Sequence, residues 1–453
     1  MSKTLFAGFD VVATMDAASR EIPGGSVLVE ENRIVDVGQD CSQVAADEVI
    51  DGTGKILLPG LVNTHHHLYQ TLFRNVPGAA DRRLFDWLSF LYGRWEGIDE
   101  EAARTSAAVG CCELLLSGAT TTSDHFYLFP RGQDRILDAV IEGAVSTGIR
   151  FHPCRGSMSL SKKDGGLPPD SVVQTEEEIL RDSQRVIEDY HDSGPLSMLR
   201  VALAPCSPFS VSADLMRETT KLADEYGVLL HTHLAETVDE ERFCVRLFGV
   251  RPVEYIEQLG WLRNDVWFAH LVHLSEADIE KLSGAGVGMS HCPSSNMTLG
   301  SGIAPVIKLA KTNVKVSLAV DGSASNDTSS MIREVRQAML LQRVRNGAEA
   351  LSARGALRMA TMGGAEVLGR GEEIGSIEKG KAADLIAFDL SGLEFAGAGA
   401  DPVAAVVHCA ADTVDLAMVN GRMRVRDGRL VDEALYGLVP RHNDISRRLL
   451  NRS

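Results

Sequence analysis

No two cysteines in the chain stand in the Cys-x-x-Cys spacing of a metal knuckle or a redox dithiol. The eight present (41, 111, 112, 154, 206, 244, 292 and 409) are scattered over 453 residues. They read as reduced, mostly buried thiols rather than as a disulfide framework. Long hydrophobic runs are missing as well. No stretch approaches the roughly 20 apolar residues of a membrane span. Residues 1–15 contain Asp10 and lack the charged start and apolar core of a secretory signal. Basic clusters are also absent: 62 acidic residues face 45 basic ones, for a net charge of −17. Such a surface repels phosphate backbones and anionic bilayers, so neither nucleic acid nor membrane is an expected partner. Repeats and low-complexity tracts are absent, Ala396–Ala400 being a small-residue loop. A cytoplasmic globular protein is what these absences leave.

What is present is ordinary for an enzyme, with 44% hydrophobic and 24% charged residues. The length exceeds one typical core, so a large unit and a smaller one are expected. Both ends of the chain read as short antiparallel strands. Near the N-terminus these are Phe9–Thr14, Gly25–Glu30 and Arg33–Gly38. Ala383–Asp389, Leu416–Val419 and Met423–Arg426 answer near the C-terminus, with Asn420-Gly421 and Asp427-Gly428 as hairpin turns. Residues 1–58 and 369–453 are therefore expected to build one small β-sandwich. Between them, apolar strands alternate with helices. The strands include Arg200–Ala204, Val228–His233, Val266–His270 and Lys315–Asp321. The helices are Ala102–Ser117, Asp134–Thr147, Thr175–Tyr190, Ala213–Tyr226 and Glu276–Ala285. This alternation over residues 59–368 predicts a (β/α)8 TIM barrel with insertions, whose chemistry sits at the C-terminal strand ends.

Polar residues collect at those ends. An apolar run broken by Pro59-Gly60 leads into Asn63-Thr64-His65-His66-His67. Strand alternation sends His65 and His67 to one face and His66 to the other. Alone, His-x-His is a weak signal; further ligands give it weight. His233 closes the strand from Val228, and Asp321 terminates a nearly all-apolar strand where an unpaired carboxylate is costly. Three imidazoles and one carboxylate, with a position left for water, describe a catalytic metal site rather than a closed structural one. Glu236 is either a solvated loop acid or a pocket carboxyl raised by desolvation into a proton shuttle. His270 ends the next strand, and His273 reads as structural at the start of the following helix. His66, His125 and His291 lie near the site in sequence without a metal role.

In this order, His65-x-His67, His233-x-x-Glu236, Ala269-His270, His291-Cys292-Pro293-Ser294-Ser295-Asn296 and Asp321-Gly322 resemble the amidohydrolase superfamily. The branch is that of the cytosine deaminases, guanine deaminases and chlorohydrolases, and the resemblance runs through the whole chain. It implies that His65, His67, His233 and Asp321 hold one divalent ion, zinc or iron, and that Glu236, His270 and Asp321 handle protons. A narrower match joins Asn63–Gln70, Phe85-Asp86-Trp87-Leu88 and Ser123-Asp124-His125-Phe126-Tyr127 to the 8-oxoguanine deaminases. It implies hydrolysis of 8-oxoguanine to urate and ammonia by metal-activated hydroxide. Isocytosine, guanine, a pterin or a hydroxyatrazine-type triazine are the alternative rings.

Substrate contacts are read from residue chemistry. Gln70 offers a donor and an acceptor to a purine amide edge, or else is a solvated loop residue. Trp87 and Tyr127 wall a flat ring or are simply core. Arg155 could meet a ring carbonyl or a carboxylate. Cys206 is a departure: the segment Ala204-Pro205-x-Ser207-Pro208-Phe209 usually carries His, or Arg in guanine deaminases, where this chain has a thiol. The expected partner is a small heterocycle, and a homo-oligomer is the expected assembly. A non-catalytic scaffold would have lost ligands, and a purine-binding module would need neither activated water nor Glu236.

Overall fold

Alternation of buried and exposed side chains makes the chain ends into one sheet. In the computed structural model, which describes residues 2–39 and 44–451, this sheet begins with β1 (Lys3–Ala13), β2 (Glu21–Glu30) and β3 (Arg33–Gly38). It continues with β4 (Glu48–Asp51) and β5 (Lys55–Pro59). Cys41 lies outside the described residues; the other seven cysteines are free thiols. An irregularity between Phe6 and Phe9 bends β1, so its first half pairs with β4 and its second half with β5. Phe6, Phe9, Val27, Val29 and Ile34 form a core with Leu385 and Met418 from the other end of the sequence.

The barrel consists of β6 (Leu61–Asn63), β7 (Ala119–Phe126), β8 (Arg150–Ser157), β9 (Ala202–Pro205), β10 (Leu229–Leu234), β11 (Val266–His270), β12 (Gly288–His291) and β13 (Lys315–Leu318). They pair in parallel and in chain order from β6 to β13. Their residues are almost all buried, as expected of strands covered on both faces. The seam between β13 and β6 is held by side-chain and loop contacts: Val320 N–H donates to Asn63 Oδ1 (3.0 Å), and Asp321 N–H to His65 O (3.2 Å). The chain then returns to the terminal sheet as β14 (Leu385–Asp389), β15 (Leu416–Val419), β16 (Arg422–Arg426) and β17 (Arg429–Leu430). Strands β15 and β16 are joined through Asn420-Gly421, both at positive φ (48° and 76°), as a tight primed turn requires.

Gly60 marks the crossing from sheet to barrel: a Cβ there would collide with Thr120. Beneath it Arg150, fully buried, donates Nε and Nη2 to the Asp384 carboxylate at 3.0 and 3.1 Å. Its Nη1 donates to the carbonyls of Leu196 and Ser197, both at 2.7 Å. Asp384 also accepts Asn420 N–H (2.7 Å), so one ion pair ties the barrel floor to the hairpin. The last helix, Leu438–Leu450, packs on the barrel instead of the sheet: Ser446 Oγ donates to Leu72 O (2.7 Å) and Arg448 pairs with Asp99. No helix among the described residues is long and apolar enough to cross a membrane.

Candidate active site

Strand β6 stops at Asn63, so His65 and His67 lie past the strand and not on it. They still converge, because the backbone bends through His67 (φ −130°, ψ 82°) into the short 3₁₀ helix Leu68–Phe73. His66 points away, to Ser329 Oγ at 3.0 Å. His233 stands on β10, and His270 closes β11. Asp321 follows β13 in a left-handed conformation (φ 61°) that turns its carboxyl back over the barrel mouth. Residues forced into such backbone cluster at functional sites.

The hydrogen bonds behind the imidazoles decide what their fronts present. His67 Nδ1–H donates to His125 O (2.7 Å), and His233 Nδ1–H to Cys206 O (2.6 Å). His231 Nδ1–H donates to Trp267 O (2.8 Å), leaving its Nε2 to accept from His65 Nδ1–H (2.7 Å). Burial holds all three front imidazoles neutral, depressing the pKa of His65 far below 6.5, lowering that of His67 and bringing His233 to about 3. Each Nε2 is therefore a bare lone pair. His67 Nε2 and His233 Nε2 face each other at 3.1 Å, and His65 Nε2 and His67 Nε2 each lie 3.4 Å from Asp321 Oδ1. His65 Nε2 has no hydrogen-bond partner among the described residues. Acceptors crowded like this repel one another unless a cation sits among them. Donors about 2.0–2.1 Å from a zinc ion in a tetrahedron lie about 3.3 Å apart, so the residues present fit such an ion. His125 also comes within reach of His65 and His233. Its Nε2 is taken by Ala204 O (2.8 Å) and its ring stacks on His233, so it backs the set.

Beside these four donors stand two proton carriers. Glu236 is buried, and burial pushes its carboxyl up to about 7. His270 Nε2 lies 3.6 Å from Glu236 Oε2 and 3.9 Å from Asp321 Oδ2. Burial works against the His270 cation, yet the two carboxylates outweigh it and raise its pKa. Its Nδ1–H donates to Asn296 Oδ1 (2.9 Å), which aims Nε2 at both acids. His273 begins no helix; it sits in the loop before Glu276, with Nε2–H donating to Ser301 O at 2.8 Å.

These groups form the floor of a cavity of about 420 Å3. Gln70, Trp87, Tyr127 and Cys206 all line it. Gln70 is narrower in role than its chemistry allows: Ala324 N–H donates to its Oε1 (3.2 Å) and its Nε2 donates to Tyr69 OH (3.4 Å), which leaves one N–H of the carboxamide for the cavity that the residue lines. Gly322 makes room, since any Cβ there would strike that carboxamide. Arg155 does not reach the site. It is buried on the far face of β8, pairing with Asp182 and Gln174 and stacking 3.9 Å over Phe129. The sequence reading missed the apolar walls. Leu84, Leu88 and Tyr92 come from helix α1 (Leu84–Trp95), the others being Phe209 and Leu299. The i, i+3, i+4 spacing of Leu84, Trp87 and Leu88 signalled an inward stripe, though not what it would face.

Comparison with known proteins agrees with this arrangement. The model of the amidohydrolase family matches residues 56–424. An 8-oxoguanine deaminase of Pseudomonas aeruginosa is 46% identical over 429 residues, covering 94% of this chain and 95% of that protein. A hydroxydechloroatrazine ethylaminohydrolase of a Pseudomonas species is 34% identical over 444 residues, covering 94% and 92%. Among solved structures, an atrazine chlorohydrolase from Arthrobacter aurescens complexed with zinc superposes with a TM-score of 0.94 at 34% identity, covering 98% of this chain and all of that one. The chain belongs to the amidohydrolase family.

Proposed function

We propose that the protein is a hydrolytic deaminase of 8-oxoguanine, converting it with water to urate and ammonia at a single divalent ion, zinc. The observation that carries the reading is the convergence of three bare imidazole nitrogens and one carboxylate oxygen beside the Glu236–His270 pair, at the floor of an aromatic-walled cavity. The 46% identity to an 8-oxoguanine deaminase selects the ring. A divalent ion held by His65, His67, His233 and Asp321 supplies a Lewis acid that makes water nucleophilic at neutral pH.

The chain's own groups do the rest. Asp321 offers Oδ1 to the ligand set and keeps Oδ2, 3.9 Å from His270, as a proton acceptor. Glu236, whose carboxyl burial pushes up so that it can carry a proton, gives that proton to the ring nitrogen beside the carbon under attack, so charge does not accumulate there. His270 donates toward the developing oxyanion and holds the two carboxylates apart. The proton taken up by Asp321 passes to the exocyclic amine, which leaves as ammonia, while the added oxygen gives its remaining proton back to Glu236 and becomes the new ring carbonyl. Trp87 and Tyr127 hold the ring flat, and the Gln70 NH2 group binds a ring acceptor. Free thiols throughout the described chain support a reducing, cytoplasmic setting.

The test is a panel of oxopurines, pterins and triazines assayed for ammonia release, with elemental analysis of the same sample. Ammonia from 8-oxoguanine above the other rings, with one ion per active chain, is expected. Two ions per active subunit would sink the mononuclear part of the reading.

A further inference from the structure

The sequence Thr237-Val238-Asp239-Glu240 has the form of a helix capping box at the start of helix α2 (Val238–Phe248). In that motif the glutamate reaches back to the N–H of the capping residue. Glu240 does something else. Its Oε1 accepts Ala235 N–H at 2.9 Å and its Oε2 accepts Glu236 N–H at 2.8 Å, so its close hydrogen bonds go to the two residues before Thr237, and the Thr237 N–H adds only a weaker contact. It is a buried carboxylate whose side-chain hydrogen bonds all come from backbone amides. Consecutive N–H groups beside a left-handed residue form an anion-binding concavity, which is what an acid on α2 can fill.

What it grips is the turn that aims the acid. Ala235 is left-handed (φ 53°), a conformation that a residue with a Cβ avoids. Its carbonyl accepts Val272 N–H and His273 N–H, both at 2.9 Å, and Leu271 N–H donates to Leu234 O at 3.1 Å. His270 and Leu271 are themselves left-handed, at 78° and 47°. One peptide thus joins the turned end of β10, which carries Glu236, to the turned end of β11, which carries His270. Glu240 holds that peptide from one side and the loop after His270 holds it from the other.

We infer that Glu240 is a positioning residue that fixes Glu236 against His270 by clamping the strained Ala235–Glu236 turn. The inference rests on the roles proposed above for Glu236 and His270. In full-length, metal-loaded enzyme, Glu240→Gln puts an amide N–H against a backbone N–H. It should lower kcat ten- to hundredfold, with KM and bound metal within about twofold of wild type. Thr237→Ala, which removes the cap of the same helix, is the comparator: it should lower the melting temperature and leave kcat in place. If the two variants behave alike, Glu240 is only a helix cap and the inference falls. Should Glu240→Gln fail to fold, the double variant with Ala235→Gly relieves the left-handed strain. Reduced kcat in that folded protein supports the clamp, and wild-type kcat overturns it. Amide hydrogen exchange needs no substrate, so it separates this inference from the deaminase reading. Glu240→Gln should speed exchange at residues 235–236 and 271–273 together; unchanged protection at both overturns the clamp, whatever the substrate.

Discussion

The two ends of the barrel bury polar groups to opposite effect. At the floor, every donor of the Arg150 guanidinium is matched by an acceptor, and Asp384 takes both that fork and a backbone N–H from the hairpin. At the mouth, three imidazoles have their rear nitrogens matched and their front ones bare, with His65 Nε2 left without a partner. Buried polar groups are normally satisfied, so a saturated cluster reads as architecture, and a converging unsaturated one reads as a place for something else. The floor cluster joins an arginine to an acid and the mouth cluster joins histidines to acids. Both are buried, and it is the bare lone pairs at the mouth that set the second apart.

The most damaging way to break this contrast is Asp321→Asn. It removes the one anionic donor among the mouth groups and the oxygen facing His270. Turnover should fall below roughly one part in 10⁴, with bound metal reduced and the melting curve close to wild type. Ammonia release and elemental analysis on one preparation check it. Treatment with a chelator should reproduce the loss, and added zinc should reverse it.

Glu236→Gln is next. Size and polarity stay, and the movable proton goes, so kcat should drop by roughly two to four powers of ten with metal retained. A variant running near the wild-type rate would return Glu236 to the class of bystander acids despite its burial.

At the other end, Arg150→Met leaves Asp384 buried without its cation. Stability should fall by roughly 3–5 kcal/mol, seen as a lower urea midpoint, because the orphaned charge keeps its desolvation penalty. The kcat of the folded fraction should hardly move. If Arg150→Met lowers kcat with stability intact, the distinction between the two ends is wrong.

The mouth half of this contrast was legible in the sequence; the floor half was not, because nothing in the sequence pairs Arg150 with Asp384, 234 residues away. Helices Ala213–Tyr226 and Glu276–Ala285 and strands Val266–His270 and Leu416–Val419 lie where propensity and capping put them. Strand β1 runs six residues further toward the N-terminus than the expected start at Phe9, since the bulge and Gly8 (φ 67°) break its alternation. The mouth histidines were findable because chemistry-bearing residues stand out at the ends of apolar strands. Arg155 misled for a related reason. Strand β8 is buried on both faces, so its burial pattern does not say which side chains turn to the cavity and which turn out toward Asp182. The left-handed backbone at Ala235, His270 and Asp321 left no sequence signal, none of these residues being glycine.

The smallest expected effect concerns the cavity wall, where Cys206 stands where guanine deaminases carry arginine. Cys206 lines the cavity, its carbonyl fixes His233, its Sγ lies 4.0 Å from His233 Nδ1, and burial pushes the thiol up to about 12, so it stands there as a neutral group. With Arg155 turned away, no arginine or lysine among the described residues lines the cavity. Guanine presents a lone pair at N7, and 8-oxoguanine presents an N–H there. A guanidinium donates only, so at this position it would welcome the first and oppose the second. A thiol donates weakly and fills little space, so it tolerates the N–H. The wild-type enzyme should therefore favour 8-oxoguanine over guanine in kcat/KM. Cys206→Arg should erode that preference by about tenfold or more, chiefly through loss on 8-oxoguanine, because an opposed donor pair is an unmatched polar contact. Cys206→Ser, which keeps a small polar group, should change it little. Paired kcat/KM measurements on the two purines read the outcome directly. Equal values for the wild-type enzyme would detach the ring preference from Cys206 and leave the mouth cluster's chemistry standing without it.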